Sequence, residues 1–268
     1  MLNNSLQGNI PKTTFYSSDN RISIINLGDV HYGNVACHKD FFKQILKRIE
    51  NEPDFYWLST GDILDVNISK SKFHDPNGLE ANTEFETIVD LLEPIKHKCL
   101  GFVGSNHSDR IHKLAGLNFD QILAKVLGIP YLGGMGLINC TLASHNHPIK
   151  HSYYIAMTHG KSNAQTLGSK ANSMAKLSDM FSNVDLVLEG HTHTFMTSTK
   201  EVQKIDRKNN RLKTSIVTMC ICGHCLEWAK SYAADGKYSP TPLGFPLFIL
   251  EGEMKKKIDI LFITPNDF

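Results

Sequence analysis

The chain has no run of about 18 apolar residues, so no membrane-crossing helix is expected. It also lacks a prevailing charge. Its 28 lysines and arginines face 27 aspartates and glutamates, a net charge of +1. That balance gives no overall footprint for nucleic acid or an anionic membrane, although a local basic patch stays open. Cysteine is sparse, six in 268 residues. So few scattered thiols do not form a disulfide framework, and free thiols in a reducing, cytoplasmic setting are expected. The opening MLNNSLQGNIPKTTFYSSDN has no apolar stretch of the kind that marks a secretory signal. Residues 1–20 therefore read as a polar leader before the first strand. Internal repeats, low-complexity tracts and Pro/Ser-rich linkers are missing too, and residues 21–268 read as one domain.

What is present is an alternation of strand-like and helix-like segments. Arg21–Leu27, Phe55–Leu58 and Cys99–Val103 read as strands. Helices are expected over His38–Ile49, Thr83–Ile95 and Phe119–Leu127, the last closed by Gly128 and Pro130. In the second half, strands at Tyr153–Met157 and Val184–Leu188 surround a helix at Ala164–Phe181. Two hairpins follow, Phe195–Ile205 with Leu212–Ile221 and Leu247–Leu250 with Ile258–Ile263. A βαβ half followed by antiparallel strands is an α/β pattern.

Five of the strands end in residues that carry chemistry. Asp29 and His31 follow the first, Asp62 the second, Asn106 and His107 the third, His159 the next, and His191 and His193 the last. Each has an ordinary explanation when taken alone: a solvated turn histidine, an N-cap aspartate, a turn asparagine or a satisfied core imidazole. If the strands run parallel, however, their carboxyl ends share one rim, the usual ligand crevice of α/β sheets. Imidazole and carboxylate donors suit Mn, Fe, Zn or Ni, and the lack of a nearby thiolate argues against a soft sulfur site. Seven donors are too many for one ion and enough for two that share a carboxylate. His191 and His193, alternating at a strand end, are expected to point the same way.

Gly28-Asp29-Val30-His31, Gly61-Asp62-Ile63-Leu64-Asp65, Asn106-His107, His159-Gly160 and Gly190-His191-Thr192-His193 resemble the five ordered motifs of calcineurin-like metallophosphoesterases. The resemblance spans roughly residues 22–195. It implies two mixed β-sheets packed face to face and flanked by helices, a four-layer αββα sandwich. It also implies hydrolysis of phosphate mono- or diesters. In that scheme Asp29, His31 and His193 hold one divalent ion, Asn106, His159 and His191 hold a second, and Asp62 bridges both. Manganese is the first expectation for the pair, with iron, zinc, nickel or magnesium as alternatives. His107 is assigned either to proton delivery or to orienting a neighbour, and Arg110 to the substrate phosphate. The favoured substrates are phosphodiesters such as nucleotides or nucleic acid. The alternatives are a phosphomonoesterase and a non-catalytic scaffold or nucleic-acid-binding protein on the same fold.

One position departs from the motif. Ser108 stands where a carboxylate usually follows the histidine, leaving Asp65 or Asp109 to orient His107. Asp65 itself can serve as a ring partner, a substrate contact or a helix cap. Three further segments have two readings each. Cys220, Cys222, His224 and Cys225 invite zinc, but no second cysteine pair accompanies them, so a strand end with buried thiols that lines the pocket is expected. The lysines and arginines from Lys200 to Lys213 form either a solvated hairpin tip or a phosphate contact, and the solvated tip is expected. Ser231–Pro246, with Tyr232, Tyr238 and Phe245, reads as a loop that covers the site, stacks a base or simply packs.

Overall fold

The structure, a computed structural model, describes residues 9–17, 19–68, 74–143, 150–161, 164–181, 183–231, 234, 239–252 and 255–268. Strands β2 (Arg21–Asn26), β3 (Phe55–Ser59) and β4 (Cys99–Phe102) run parallel to one another. The antiparallel hairpin of β10 (Phe245–Glu251) and β11 (Lys257–Ile263) extends them into a five-stranded sheet ordered β11-β10-β2-β3-β4. The second sheet has the order β1-β5-β6-β7-β9-β8. Its strands are β1 (Lys12–Tyr16), β5 (Met135–Ala143), β6 (Lys150–Thr158), β7 (Leu186–Glu189), β8 (Phe195–Asp206) and β9 (Arg211–Cys222), of which β6, β7 and β9 are parallel.

The central strands form where they do because both of their faces are buried. Ile22 and Ile24 of β2 point into the gap between the sheets, where they meet Leu58, Phe248, Ile155, Leu186 and Leu188. Ile25, Phe55, Trp57 and Phe102 point the other way, under α1 (Lys39–Asn51), α2 (Ala81–Leu92) and α4 (Phe119–Leu127). Strands covered on both faces read as nearly continuous apolar runs, as these do. On α1, Phe41, Phe42, Ile45, Leu46 and Ile49 make one buried stripe, and the His38 ring accepts the Phe41 N–H at its start. On the far side of the second sheet, Met174 and Leu177 of α5 (Leu167–Asp179) cover Ala156, Val187, Val217 and Met219. The result is helix, sheet, sheet, helix, the layering that the motif resemblance implies.

Three elements differ from the sequence reading. The stretch read as a leader contains β1, which pairs in parallel with β5 from Lys12↔Asn139 to Tyr16↔Ala143. β5 itself was not expected, because MGLINCTLA mixes glycine and asparagine into its apolar pattern. A helix, α3 (Asn106–Ala115), begins inside what reads as a strand-end motif. Among the described residues no helix is long and apolar enough to cross a membrane.

Candidate metal centre

The carboxyl ends of β2, β3 and β4 meet those of β6 and β7 at one end of the sandwich. Two donor groups form there. In the first, His31 Nε2 lies 3.1 Å from His193 Nε2, and Asp29 Oδ1 lies 3.4 Å from His193 Nε2 and 4.0 Å from His31 Nε2. In the second, His159 Nε2 lies 3.2 Å from His191 Nδ1, 2.7 Å from Asn106 Oδ1 and 3.1 Å from Asp62 Oδ2. The same Asp62 oxygen is 3.7 Å from His31 Nε2, which places it between the groups. Donors held about 2.1 Å from one ion at angles of roughly 90–110° lie about 3.0–3.4 Å apart. The observed separations bracket that range, and every donor is nitrogen or oxygen, so the residues fit a pair of divalent ions.

The loops that present these donors are held in costly shapes. Eight non-glycine residues adopt positive φ among the described residues, and five of them are Asp29, His31, Asp62, His191 and His193. Left-handed backbone at such residues costs about 1–3 kcal/mol each and persists when the surroundings dictate it. Here they do. Both oxygens of Asp29 accept the His191 N–H, at 3.1 and 2.9 Å, tying the β2 loop to the β7 loop. Gly190 sits so close to them that a Cβ would lie 2.9 Å from Asp29 Oδ2 and from Thr60 Oγ1. The outer ring nitrogens also face oxygen atoms of the protein. His159 Nδ1 meets the Thr60 carbonyl at 2.9 Å, and His31 Nδ1 lies 3.2 Å from Asp65 Oδ1, which turns both Nε2 atoms inward.

The electrostatics favour cations. Burial would raise the Asp62 carboxyl, but the imidazoles of His107, His159 and His31 hold it well below the usual carboxylate range. Asp29 is lowered in the same way by His193 and His159 against its burial. Burial pulls His31 and His159 down, yet the carboxylates outweigh it: Asp65, Asp62 and Asp29 raise His31 to about 9, and Asp62 and Asp29, with the Thr60 carbonyl, raise His159 to about 9. Without ions, His31 and His159 hold protons at neutral pH against these carboxylates.

His107 behaves differently. Its Nδ1 lies 2.5 Å from the Asp65 carbonyl oxygen, and its Nε2 lies 3.1 Å from Arg110 Nη2 and 3.8 Å from Asp62 Oδ2. Burial, His31 and Arg110 together push it down to about 4, so the ring is neutral, donating from Nδ1 and accepting at Nε2. The residue that orients it is Asp65, whose carboxylate also approaches to 3.5 Å. One expectation is corrected. His191 and His193 do not act as strand neighbours facing one way: β7 ends at Glu189, both histidines have left-handed backbone, and each joins a different donor group.

The other segments also resolve. None of the metal-capable groups among the described residues contains a cysteine. Cys220 and Cys222 are buried in β9, and His224 stacks on His193 at 5.4 Å. Thr241 Oγ1 meets His224 Nε2 at 2.8 Å and donates to the His193 carbonyl at 2.7 Å, so this segment does line the site. β8 and β9 are paired from Phe195↔Cys222 at the site to Asp206↔Arg211 at the tip. At about 3.3 Å per residue the tip is roughly 35 Å away, and Lys200 pairs locally with Asp179. Phe245 is core, stacked on Phe41 at 5.5 Å, while Tyr232 and Tyr238 lie outside the described residues.

Two buried acids escape a motif reading. Glu84 lines up with Ile88 and Leu92 on the buried face of α2, and Asp120 with Leu123, Ala124 and Leu127 on that of α4. A charge on an apolar stripe was the signal available for both.

No family model and no curated protein matches the chain. Among solved structures it is similar to Vacuolar Protein Sorting 29 from Cryptosporidium parvum, at 15% identity and a TM-score of 0.42, over 91% of this chain and 98% of that one. It is also similar to the Pseudomonas putida nuclease MPE, at 14% identity and a TM-score of 0.37, over 89% and 87%. A third is a protein serine/threonine phosphatase from Saccharomyces cerevisiae, at 10% identity and a TM-score of 0.40, over 95% and 83%. The chemistry proposed below rests on this chain's own residues.

Proposed function

We propose that the chain is a dinuclear metal-dependent phosphoesterase that favours phosphodiesters, nucleotides or nucleic acid among them. The observation that carries this is the position of one oxygen: Asp62 Oδ2 sits 3.7 Å from His31 Nε2 and 3.1 Å from His159 Nε2, joining two donor groups through a single carboxylate. Asp29, His31 and His193 would hold one ion and Asn106, His159 and His191 the other. When bound, such ions supply an acidified water and screen phosphoryl charge.

The chain's own residues do the rest. Arg110, on the first turns of α3, presents guanidinium donors suited to phosphoryl oxygens. In this reading an ester that draws Arg110 to itself releases His107 Nε2, which can then take a proton from solvent and pass it to the leaving-group oxygen. Proton delivery matters most for alkoxide leaving groups, and that favours diesters over activated monoesters. All six cysteines are unpaired and buried, which supports a reducing, cytoplasmic setting for the same proposal.

The test is to strip the protein with chelator, reload it with manganese, iron, zinc, nickel or magnesium, and measure metal content and hydrolysis of bis-p-nitrophenyl and p-nitrophenyl phosphate. About two ions per chain and diester turnover are expected. Monoester turnover alone makes the protein a phosphomonoesterase. Less than about one ion per chain with no hydrolysis after manganese loading overturns the enzyme reading and leaves a non-catalytic binding protein.

A further inference from the structure

Glu84 is a fully buried carboxylate on α2 that no lysine, arginine or histidine accompanies among the described residues. An unpaired buried charge is costly unless hydrogen bonds satisfy it. Three backbone amides offset part of that cost, although burial still raises the carboxyl to about 7. Glu84 Oε1 accepts the N–H of Gly33 and of Asp65, both at 2.6 Å, and Oε2 accepts the N–H of Val66 at 2.9 Å. Those amides come from two loops, one following β2 and His31, the other following β3 and Asp62.

The fit is tight on every side. A Cβ on Gly33 would lie 2.6 Å from the Glu84 carboxyl carbon, so the approach needs glycine. Val66 carries φ 54, a conformation that a β-branched residue rarely takes, and its N–H is one of the three donors. Asp65, whose own N–H is one of the three captured amides, also reaches the candidate metal centre: its carboxylate lies 3.2 Å from His31 Nδ1 and its carbonyl meets His107 Nδ1 at 2.5 Å. Displacing the Asp65–Val66 turn would therefore move the partners of both rings together.

We infer that Glu84 is a positioning residue: its carboxylate clamps the β2 and β3 loops against each other and so sets the orientation of His31, a proposed metal ligand, and of His107. This rests on the phosphoesterase reading for the metal and on geometry alone for the clamp.

Glu84→Gln is nearly isosteric but turns an N–H₂ toward at least one of the three amides. The probe is cobalt(II), followed by its visible spectrum and by binding titration. The variant should fold, bind cobalt on the order of tenfold or more weakly, as loss of an outer partner typically does, and show a shifted cobalt spectrum. A folded variant with the affinity and spectrum of the wild type overturns the inference, because a merely structural glutamate would lower stability and leave the cobalt site alone.

Amide hydrogen exchange separates the two readings. The Gly33, Asp65 and Val66 amides should exchange slowly in the wild type and at least about tenfold faster in the variant, with the α2 amides unchanged. If the wild type takes up neither cobalt nor manganese, the phosphoesterase reading fails, and the clamp is decided by exchange alone. Should Glu84→Gln not fold, wild-type exchange decides: slow exchange at Asp65 and Val66 supports the clamp, and rapid exchange overturns it.

Discussion

Asp62 carries more of the proposed chemistry than any other side chain, because one of its oxygens faces both donor groups while the other accepts the His107 N–H at 3.3 Å. Asp62→Asn keeps the shape and most of the hydrogen-bonding capacity but removes the charge shared between the groups. Activity should fall by more than about 100-fold, beyond what loss of an outer partner usually costs, with little change in the far-ultraviolet circular dichroism spectrum. Near-wild-type turnover in a folded Asp62→Asn protein would show that the carboxylate bridges nothing. At this scale the site was largely legible in the sequence. Asp29, His31, Asp62, Asn106, His159, His191 and His193 are donors by residue type and stand where strands end. Glu84 was not legible in the same way, since it acts on backbone amides, and which amides it meets depends on how two distant loops come together.

At the scale of elements, α3 is the part whose placement matters most and whose existence was hardest to foresee. It carries Asn106, His107 and Arg110, yet its N-cap residue, Ser105, makes no capping bond of its own. The anchoring comes from a neighbouring helix: Asp120 on α4 accepts from Ser105 N at 2.8 Å and from Ser105 Oγ at 2.7 Å, while its own N–H donates to Ser108 Oγ at 3.1 Å. Ser108, which stands in place of the expected motif carboxylate, is thus tied to a carboxylate residue from elsewhere in the chain. The Asp62 bond to the His107 N–H adds a second anion at the same helix start, where the peptide dipoles favour it. Asp120→Ala would leave the buried Ser105 N–H without its acceptor, at a cost of about 1–3 kcal/mol. Urea unfolding measures this directly, and a loss below roughly 0.5 kcal/mol, the level of an ordinary surface change, would show that α3 is not anchored there. Strands and helices with unbroken apolar periodicity, such as β2, β3, α1 and α4, could be read from sequence within a residue or two. β1, β5 and α3 could not, because polar residues or a functional motif mask their periodicity, and tertiary contacts decide them.

For the whole molecule, the candidate metal centre gathers buried charge on strained loops, and a cation bound there would offset that charge. Two buried aspartates, with a third at Asp65, surround the imidazoles of His31, His159, His191 and His193, and His31, His191 and His193 have left-handed backbone. In the metal-free protein, protons on His31 and His159 do part of that work. Both have folded values near 9, against an ordinary 6.5, because the carboxylates outweigh burial. A raised value means that the folded state holds protons the unfolded chain gives up. The stability they contribute is therefore full below about pH 6.5 and disappears as pH rises through about 9. Divalent ions compete with these same protons, so their affinity rises over the same interval. At 100 times its dissociation constant an ion adds about 2.7 kcal/mol. The melting temperatures of loaded and metal-free protein should consequently diverge as pH is raised from 6 toward 9, the metal-free value falling and the loaded value holding. Calorimetric scans of both forms across that range check this. Parallel or converging curves would mean that the protons on His31 and His159 and the ions do not occupy the same place.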